Sequence, residues 1–162
     1  MNTISTFLEH FDLTQLISLL IQAIAALLCI SFHEMGHGFA AWCLGDETAK
    51  RQGRVSMNPL HHIDPLGLIL LITAGFGWAK PVPVNARKFK NPKGGMAVVA
   101  LAGPVANLIA AFVSLLLCNF IIFLARSGVG TGSQAALVIL MFLRYLFLFT
   151  AQINVSLAVF NL

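Results

Sequence analysis

Two histidines and a glutamate stand together in the stretch HEMGH, residues 33–37. Residues four apart on an α-helix share one face, so the rings of His33 and His37 can reach the same metal ion. Histidine nitrogens are common ligands of tetrahedral Zn²⁺, and zinc lowers the pKa of a bound water to about 7. Glu34 can then take the proton of that water, and the hydroxide can attack a peptide carbonyl. The spacing predicts one zinc ion per chain, held by His33 and His37, with Glu34 as general base.

A zinc site of this kind needs a third protein ligand. Cys43 follows His37 by six residues, and we interpret it as a small helix residue. The remaining acidic residues are Glu9, Asp12, Asp46, Glu47 and Asp64. Asp64 follows His62 in HHIDP, where we expect a turn with Asp64 as the cap of the next segment. The alternative is that Asp64 itself serves as the third zinc ligand.

Three apolar segments are long enough to carry this motif across a membrane, since a spanning helix needs about 20 residues. They run from about Leu13 to Leu44, from about Met96 to Ala125 and from about Gln134 to Leu162. The chain of 162 residues is 58% hydrophobic and only 10% charged, as expected of an integral membrane protein. We therefore predict an all-α polytopic membrane protein in which residues 1–162 form a single domain.

The segment between the first two spans has a different character. Its apolar part, Leu66 to Ala79, is too short to cross a membrane easily and is interrupted by glycines. Those glycines are Gly67, Gly75 and Gly77. We expect a re-entrant or interfacial element with some strand character near Val82 and Val84.

Basic residues set the expected orientation. Eight of the ten lie between the first and second spans. Residues 1–12 contain no Lys or Arg, and their two acidic residues are Glu9 and Asp12. Positive charge favours the cytoplasmic side, so we expect the amino terminus outside and the histidines towards the cytoplasm of a cell membrane, level with the end of the third span. Such a cluster beside apolar helices does not call for a nucleic-acid partner, and we expect none.

Two further basic residues allow more than one interpretation. Lys80 lies in WAKPVPV, an extended segment that could pair with an unfolded substrate strand or serve as an interfacial anchor. Arg144 lies within the third span, where we expect it to face the bundle interior or to reach towards an interface.

Several sequence blocks together resemble the site-2 protease family of intramembrane zinc metalloproteases, in particular its compact microbial branch. In chain order they are HEMGHGFAAWCLGD, GRVSMNPLHHIDPLG, GWAKPVPVNARKFKNP, ALAGPVANLIAA and VFNL. HEMGH alone is a broad signal, whereas GWAKPVPVN and AGPVAN make the resemblance specific.

The resemblance implies a function and further site residues. It implies an endopeptidase that cleaves transmembrane segments of membrane-protein substrates within the lipid bilayer. Asn107 matches a family asparagine that positions the substrate or polarises its carbonyl; a hydrogen bond between helices is the alternative. The family's third ligand is an aspartate just beyond a segment like the terminal VFNL, so we expect a chain truncated before that residue.

Two other functions remain open at this point. Histidines can line the pathway of a membrane metal transporter, although no span carries a run of polar ligands. A non-catalytic or truncated relative could bind membrane segments without hydrolysing them.

Overall fold

The structure, a computed structural model, describes residues 13–74 and 78–162. Its α-helices are α1 (Leu13–Cys43), α2 (Thr48–Arg51), α3 (Pro65–Ala74), α4 (Pro92–Arg126) and α5 (Gln134–Phe160). Two 3₁₀ turns, Pro59–His61 and Ala86–Lys88, lie in the connections. The expectations for residues 1–12 and for Gly75 and Gly77 concern positions outside the described residues.

Three of these helices are long and apolar enough to span a membrane. The spans are Ile17–Cys43 within α1, with 27 residues, and the whole of α4 and α5, with 35 and 27 residues. At a rise of 1.5 Å per residue, 27 residues extend about 40 Å, more than the hydrocarbon thickness of about 30 Å. The predicted fold class, with three spans and a short segment between the first two, is confirmed.

Local capping signals fix where the long helices begin and end. The Asn91 side chain accepts the Gly94 N–H at 3.1 Å, and Pro92 occupies the first helical position, so α4 starts four residues before the predicted Met96. The Ser133 hydroxyl caps α5 in the same way. Beyond the end of α1, Gly45 adopts a φ of +100°, a conformation that glycine tolerates best.

Close helix packing brings α1 against α4, and α4 also contacts α5. A Cβ atom on Gly36 would lie 2.9 Å from both the Ala102 carbonyl oxygen and the Ala106 Cβ, so the two backbones nearly touch. Small residues permit this approach where hydrophobic collapse cannot drive it, as in membrane helix pairs. Ala102 and Ala106 on α4 are the small residues that face Gly36.

Polar side chains occupy the centre of the bundle, while large apolar side chains cover its outside. Asn154 on α5 donates from Nδ2 to the Cys29 sulfur at 3.1 Å and to the Thr150 carbonyl at 2.9 Å, and so joins α5 to α1. On the outer surface, Phe112, Phe123 and Val138 are each more than 60% exposed. This inside-out distribution suits a lipid surrounding.

The strand character expected near Val82 and Val84 is wrong for the described residues. The backbone there is extended, but pairing is confined to one antiparallel bridge between Ile63 and Ala79. Pro81 and Pro83 lack an N–H, so alternate residues cannot donate to a ladder. The backbone of this segment forms hydrogen bonds with the side chains of Glu34 and Arg54 instead.

Candidate metal centre

The rings of His33 and His37 meet on one face of α1, as their spacing predicts. Their Nε2 atoms lie 3.0 Å apart, and the rings stand nearly perpendicular, at 89°. Two nitrogens on a tetrahedral zinc ion, each at 2.0–2.1 Å, lie about 3.3 Å apart. The histidine pair therefore already has a spacing close to that of two ligands of one ion.

A backbone carbonyl on α4 holds the outer nitrogen of His37. Nδ1 of His37 lies 2.7 Å from the Val99 oxygen, and because a carbonyl only accepts, Nδ1 must carry the hydrogen. The Nε2 atom of His37 then carries a lone pair, the form that binds a metal. Pro104 has no N–H, so the carbonyl that loses its helix partner is that of Ala100, one residue after Val99.

Asn107, also on α4, holds the outer nitrogen of His33. Its Nδ2 lies 3.1 Å from Nδ1 of His33, and both side chains are buried. With this amide orientation Nδ2 donates, so His33 keeps its hydrogen on Nε2 and donates it to His37. Asn107 Oδ1 is buried and has no hydrogen-bond partner among the residues that the structure describes.

The unpaired Asn107 oxygen indicates whether the site fits zinc. A zinc ligand needs a lone pair on His33 Nε2, which moves the ring hydrogen to Nδ1. Nδ1 then needs an acceptor, and Asn107 Oδ1 is the atom of that side chain still without a partner. Amide oxygen and nitrogen are hard to distinguish by position, so the same site serves both forms. His33 and His37 thus fit as two ligands of a zinc ion, and Asn107 fits as the residue that orients the ring of His33.

Gly103 leaves room for both histidine rings. A Cβ atom at this position would lie 2.5 Å from Cε1 and Nε2 of His37 and 2.7 Å from Cε1 of His33. Real Cβ atoms do not approach other atoms so closely, so only glycine fits here while the rings keep their places. The AGPVAN block therefore supplies both the opening for the rings and the amide that orients one of them.

A third ligand is not found among residues 13–74 and 78–162, where no three His, Cys, Asp or Glu side chains cluster. Asp64 accepts the Gly67 N–H at 2.9 Å, so the predicted capping role at the start of α3 is confirmed. Cys43 is exposed at the end of α1, in agreement with its interpretation as a helix residue.

Glu34 points towards the segment that follows α3. Its Oε2 accepts the Val82 N–H at 3.1 Å, across 48 positions of sequence. Arg54, only 5% exposed, donates to the carbonyls of Lys80 and Pro81 and fixes the segment from the other side. Because these backbone groups are already bonded, the segment forms a wall beside Glu34 and offers little free edge for strand addition.

A cavity of about 370 Å³ opens beside His33 and Glu34. Trp78, Leu157 and Asn161 also line it, so the last turn of α5 reaches the level of the histidines. The sequence-based expectation that these two regions share one depth is confirmed.

His62 lines the same cavity and is 2% exposed. Its Nε2 lies 2.8 Å from the Ser56 carbonyl, so Nε2 carries the hydrogen and Nδ1 presents a lone pair. Nδ1 has no partner in the structure. The Lys80 N–H donates to the His62 carbonyl, which makes the predicted turn part of the cavity wall.

Asp46 fastens the far end of that wall to the end of α1. The fully buried carboxylate accepts from the backbone of Asn85 at 2.6 Å and of Thr48 at 3.0 Å, and Lys88 Nζ lies 3.0 Å away. Burial acts to raise the pKa of Asp46, but the hydrogen bonds from Thr48 and Asn85 and the ammonium of Lys88 outweigh it and hold that pKa well below its usual value.

Comparisons with known proteins bear on this geometry. The chain is 49% identical over 94 residues to "Putative zinc metalloprotease YwhC" of Bacillus subtilis, a match that covers 58% of this chain and 43% of that protein. It is 36% identical over 90 residues to "Putative zinc metalloprotease Rip2" of Mycolicibacterium smegmatis, covering 52% and 34% of the two chains. Rip2 of Mycobacterium tuberculosis is 32% identical over 93 residues, covering 55% and 36%. No family model and no solved structure matches significantly.

The chain is a relative of these bacterial proteins named as zinc metalloproteases. The predicted resemblance to zinc metalloproteases is thereby confirmed. The match spans 43% of the YwhC relative and 36% or less of the Rip2 relatives, so the activity of the whole protein is a matter for proposal.

Sequence reasoning missed three contributors to the site. Arg54 entered the sequence analysis only as one of the basic residues between the first two spans, and the residues around it do not indicate that it is buried. Asp46 carried a usable signal, since Asp46 and Thr48 have the spacing of an Asx turn. Gly103 gave no local signal, because its contact with the histidine rings depends on how α1 crosses α4.

Proposed function

We propose that the complete protein is an intramembrane zinc endopeptidase that hydrolyses peptide bonds in transmembrane segments of membrane-protein substrates. The observation that carries this proposal is the pair of Nε2 atoms of His33 and His37, which lie 3.0 Å apart on a helix apolar enough to span a membrane. Glu34 lines the same cavity as His33. A bound zinc ion supplies Lewis-acid chemistry, which polarises a carbonyl and acidifies water.

Each residue of the site has a role in this proposal. His33 and His37 hold the ion through Nε2, while the Val99 carbonyl and Asn107 orient their rings. The Val82 N–H fixes Oε2 of Glu34, and Oε1 receives the proton of the attacking water. As the reaction ends, the same carboxyl group returns that proton to the leaving amine.

The substrate enters the cavity as a locally unwound segment, because the peptide bonds of an intact helix are shielded by their own turns. In the structure the cavity extends from His33 to Trp78 and Asn161. Eight of ten basic residues flank this end of the bundle, so we place the site towards the cytoplasmic side of the cell membrane. In this proposal a third zinc ligand, from outside the described residues, completes the coordination of the ion.

The substitution Glu34→Ala tests the proposal in the full-length protein reconstituted with a susceptible transmembrane reporter. We expect bound zinc to be retained and cleavage to fall by at least about a thousandfold, because the proton acceptor is lost. Glu47→Ala is the matched control, since Glu47 is exposed and forms an ion pair with the exposed Arg51. Cleavage that survives Glu34→Ala contradicts the general-base role.

Two other functions predict different results in the same preparation. A metal transporter gives a zinc flux into vesicles that depends on His33 and no cleavage product. A non-catalytic relative binds the reporter tightly and leaves it intact in both wild type and variant. Either result contradicts the proposed hydrolysis.

A further inference from the structure

A second cavity lies at the opposite end of the bundle, between α4 and α5. It measures about 520 Å³ and is lined by apolar side chains together with two arginines, Arg126 and Arg144. The apolar lining consists mainly of Ile121, Ile122, Leu137, Leu140 and Met141. None of these residues contributes to the zinc site.

Neither arginine has an anionic partner in the described part of the chain. Within residues 13–74 and 78–162, Arg126 and Arg144 form no ion pair and no side-chain hydrogen bond. The described acidic residues are Glu34, Asp46, Glu47 and Asp64, and all belong to the end of the bundle that holds the histidines. Among the described residues, no acidic side chain lies at this end of the bundle to balance the positive charge of the cavity.

Helix geometry directs both guanidinium groups into the same space. The Cys118 sulfur lies 3.8 Å from the Arg144 carbonyl, which sets Arg144 level with Cys118, about 12 Å along α4 from Arg126. Side chains on a helix lean towards its amino terminus. Because α4 and α5 are antiparallel, Arg126 leans towards Arg144 and Arg144 leans towards Arg126.

Two converging cations in this position need an anion. Arg144 lies about 15 Å along α5 from Gln134 and is exposed on a helix able to span a membrane, where an unpaired charge is costly. Mutual repulsion adds to that cost. Guanidinium groups bind phosphate oxygens in a bidentate manner, so one phosphate relieves both charges at once.

We propose that this cavity binds an anionic phospholipid, with the phosphate between Arg126 and Arg144 and an acyl chain along the apolar lining. The lining favours a lipid over free phosphate, because a small ion leaves Leu140 and Met141 uncovered. A zwitterionic lipid fits less well, since its cationic headgroup faces two arginines.

Native mass spectrometry of the full-length protein tests the assignment. The protein is purified in detergent and titrated with phosphatidylglycerol or with phosphatidylcholine, and retained lipid is counted. We expect one phosphatidylglycerol to be retained preferentially, and each of Arg126→Gln and Arg144→Gln to weaken it about tenfold. The matched control is Arg87→Gln with Lys93→Gln, which removes two exposed charges at the other end of the bundle.

Three results overturn the assignment. They are equal retention by wild type and the double variant Arg126→Gln/Arg144→Gln, equal loss in the control variant, and displacement of the lipid by millimolar inorganic phosphate. Arg126→Gln alters only the last residue of α4, so it keeps the test valid should the double variant fail to fold. Circular dichroism checks the helix content of each variant.

Discussion

The amide of Asn107 lies 3.1 Å from Nδ1 of His33, and its own oxygen is buried without a partner. One side chain can therefore serve His33 in either ring tautomer, as a donor through Nδ2 or as an acceptor through Oδ1. The contact is a hydrogen bond between α4 and α1, the alternative left open for Asn107 by the sequence. This hydrogen bond also affects the chemistry of the site, since the tautomer of His33 decides whether Nε2 can bind a metal.

Replacement of Asn107 by leucine should weaken zinc binding by about 10- to 100-fold, the usual effect of losing a residue that orients a ligand. The shape is conserved, so the fold should persist. Zinc affinity measured by chelator competition checks this. Asn119→Leu is the control, because Asn119 is exposed on the same helix and donates only to the Leu115 carbonyl. Equal affinities in the wild type and Asn107→Leu would contradict the orienting role.

Gly103→Ala should displace both histidine rings, because the new methyl group would lie within 2.7 Å of each. We expect zinc binding to be lost and the free energy of unfolding to fall by about 1–3 kcal/mol from overpacking. Chelator competition and denaturant unfolding in detergent measure the two effects. Gly132→Ala, where no atom lies within 4 Å of the new Cβ, should change neither. An unaltered zinc affinity in Gly103→Ala would show that the rings can move aside.

Arg54→Gln should release the segment that faces Glu34, since the buried guanidinium bonds the carbonyls of Lys80 and Pro81. Hydrogen exchange should rise in a peptide covering residues 78–85, where Val82 carries the N–H that Glu34 accepts. We expect a loss of stability of about 2 kcal/mol. Arg51→Gln removes an exposed guanidinium and should leave this exchange unchanged. Slow exchange in Arg54→Gln would mean that the contacts of the segment with Glu34, His62 and Asp46 hold it without the arginine.

Asp46 should make stability fall in acid. Its pKa is lower in the folded protein than the usual value of about 3.9, so below that pH the unfolded chain binds more protons. The contribution is complete above about pH 4 and is lost as the pH falls towards the folded-state pKa. Unfolding measured from about pH 6 to 3 should show this loss in wild type and a flatter profile in Asp46→Asn. Glu47→Gln, a change at an exposed neighbour, should keep the wild-type profile.

The sequence by itself determined the elements that carry the chemistry. HEMGH places two imidazoles and a carboxylate on one helical turn because the helix period of 3.6 residues fixes their spacing. Apolar length alone located all three spanning helices. The predicted start of α4, about Met96, was four residues late, because the capping signal of Asn91 and Pro92 was overlooked. These are local properties, set within a few residues of chain.

Tertiary structure decided which distant groups complete the site. Val99, Gly103 and Asn107 meet the histidine rings only because Gly36 lets α1 approach α4 to backbone contact. The Val82 N–H reaches Glu34 across 48 residues, held by a buried arginine that looked like an ordinary loop charge. Such contacts depend on helix crossing and chain reversal, which no local pattern encodes. The sequence therefore defines the reacting groups, and the packing of α1 against α4 defines their orientation.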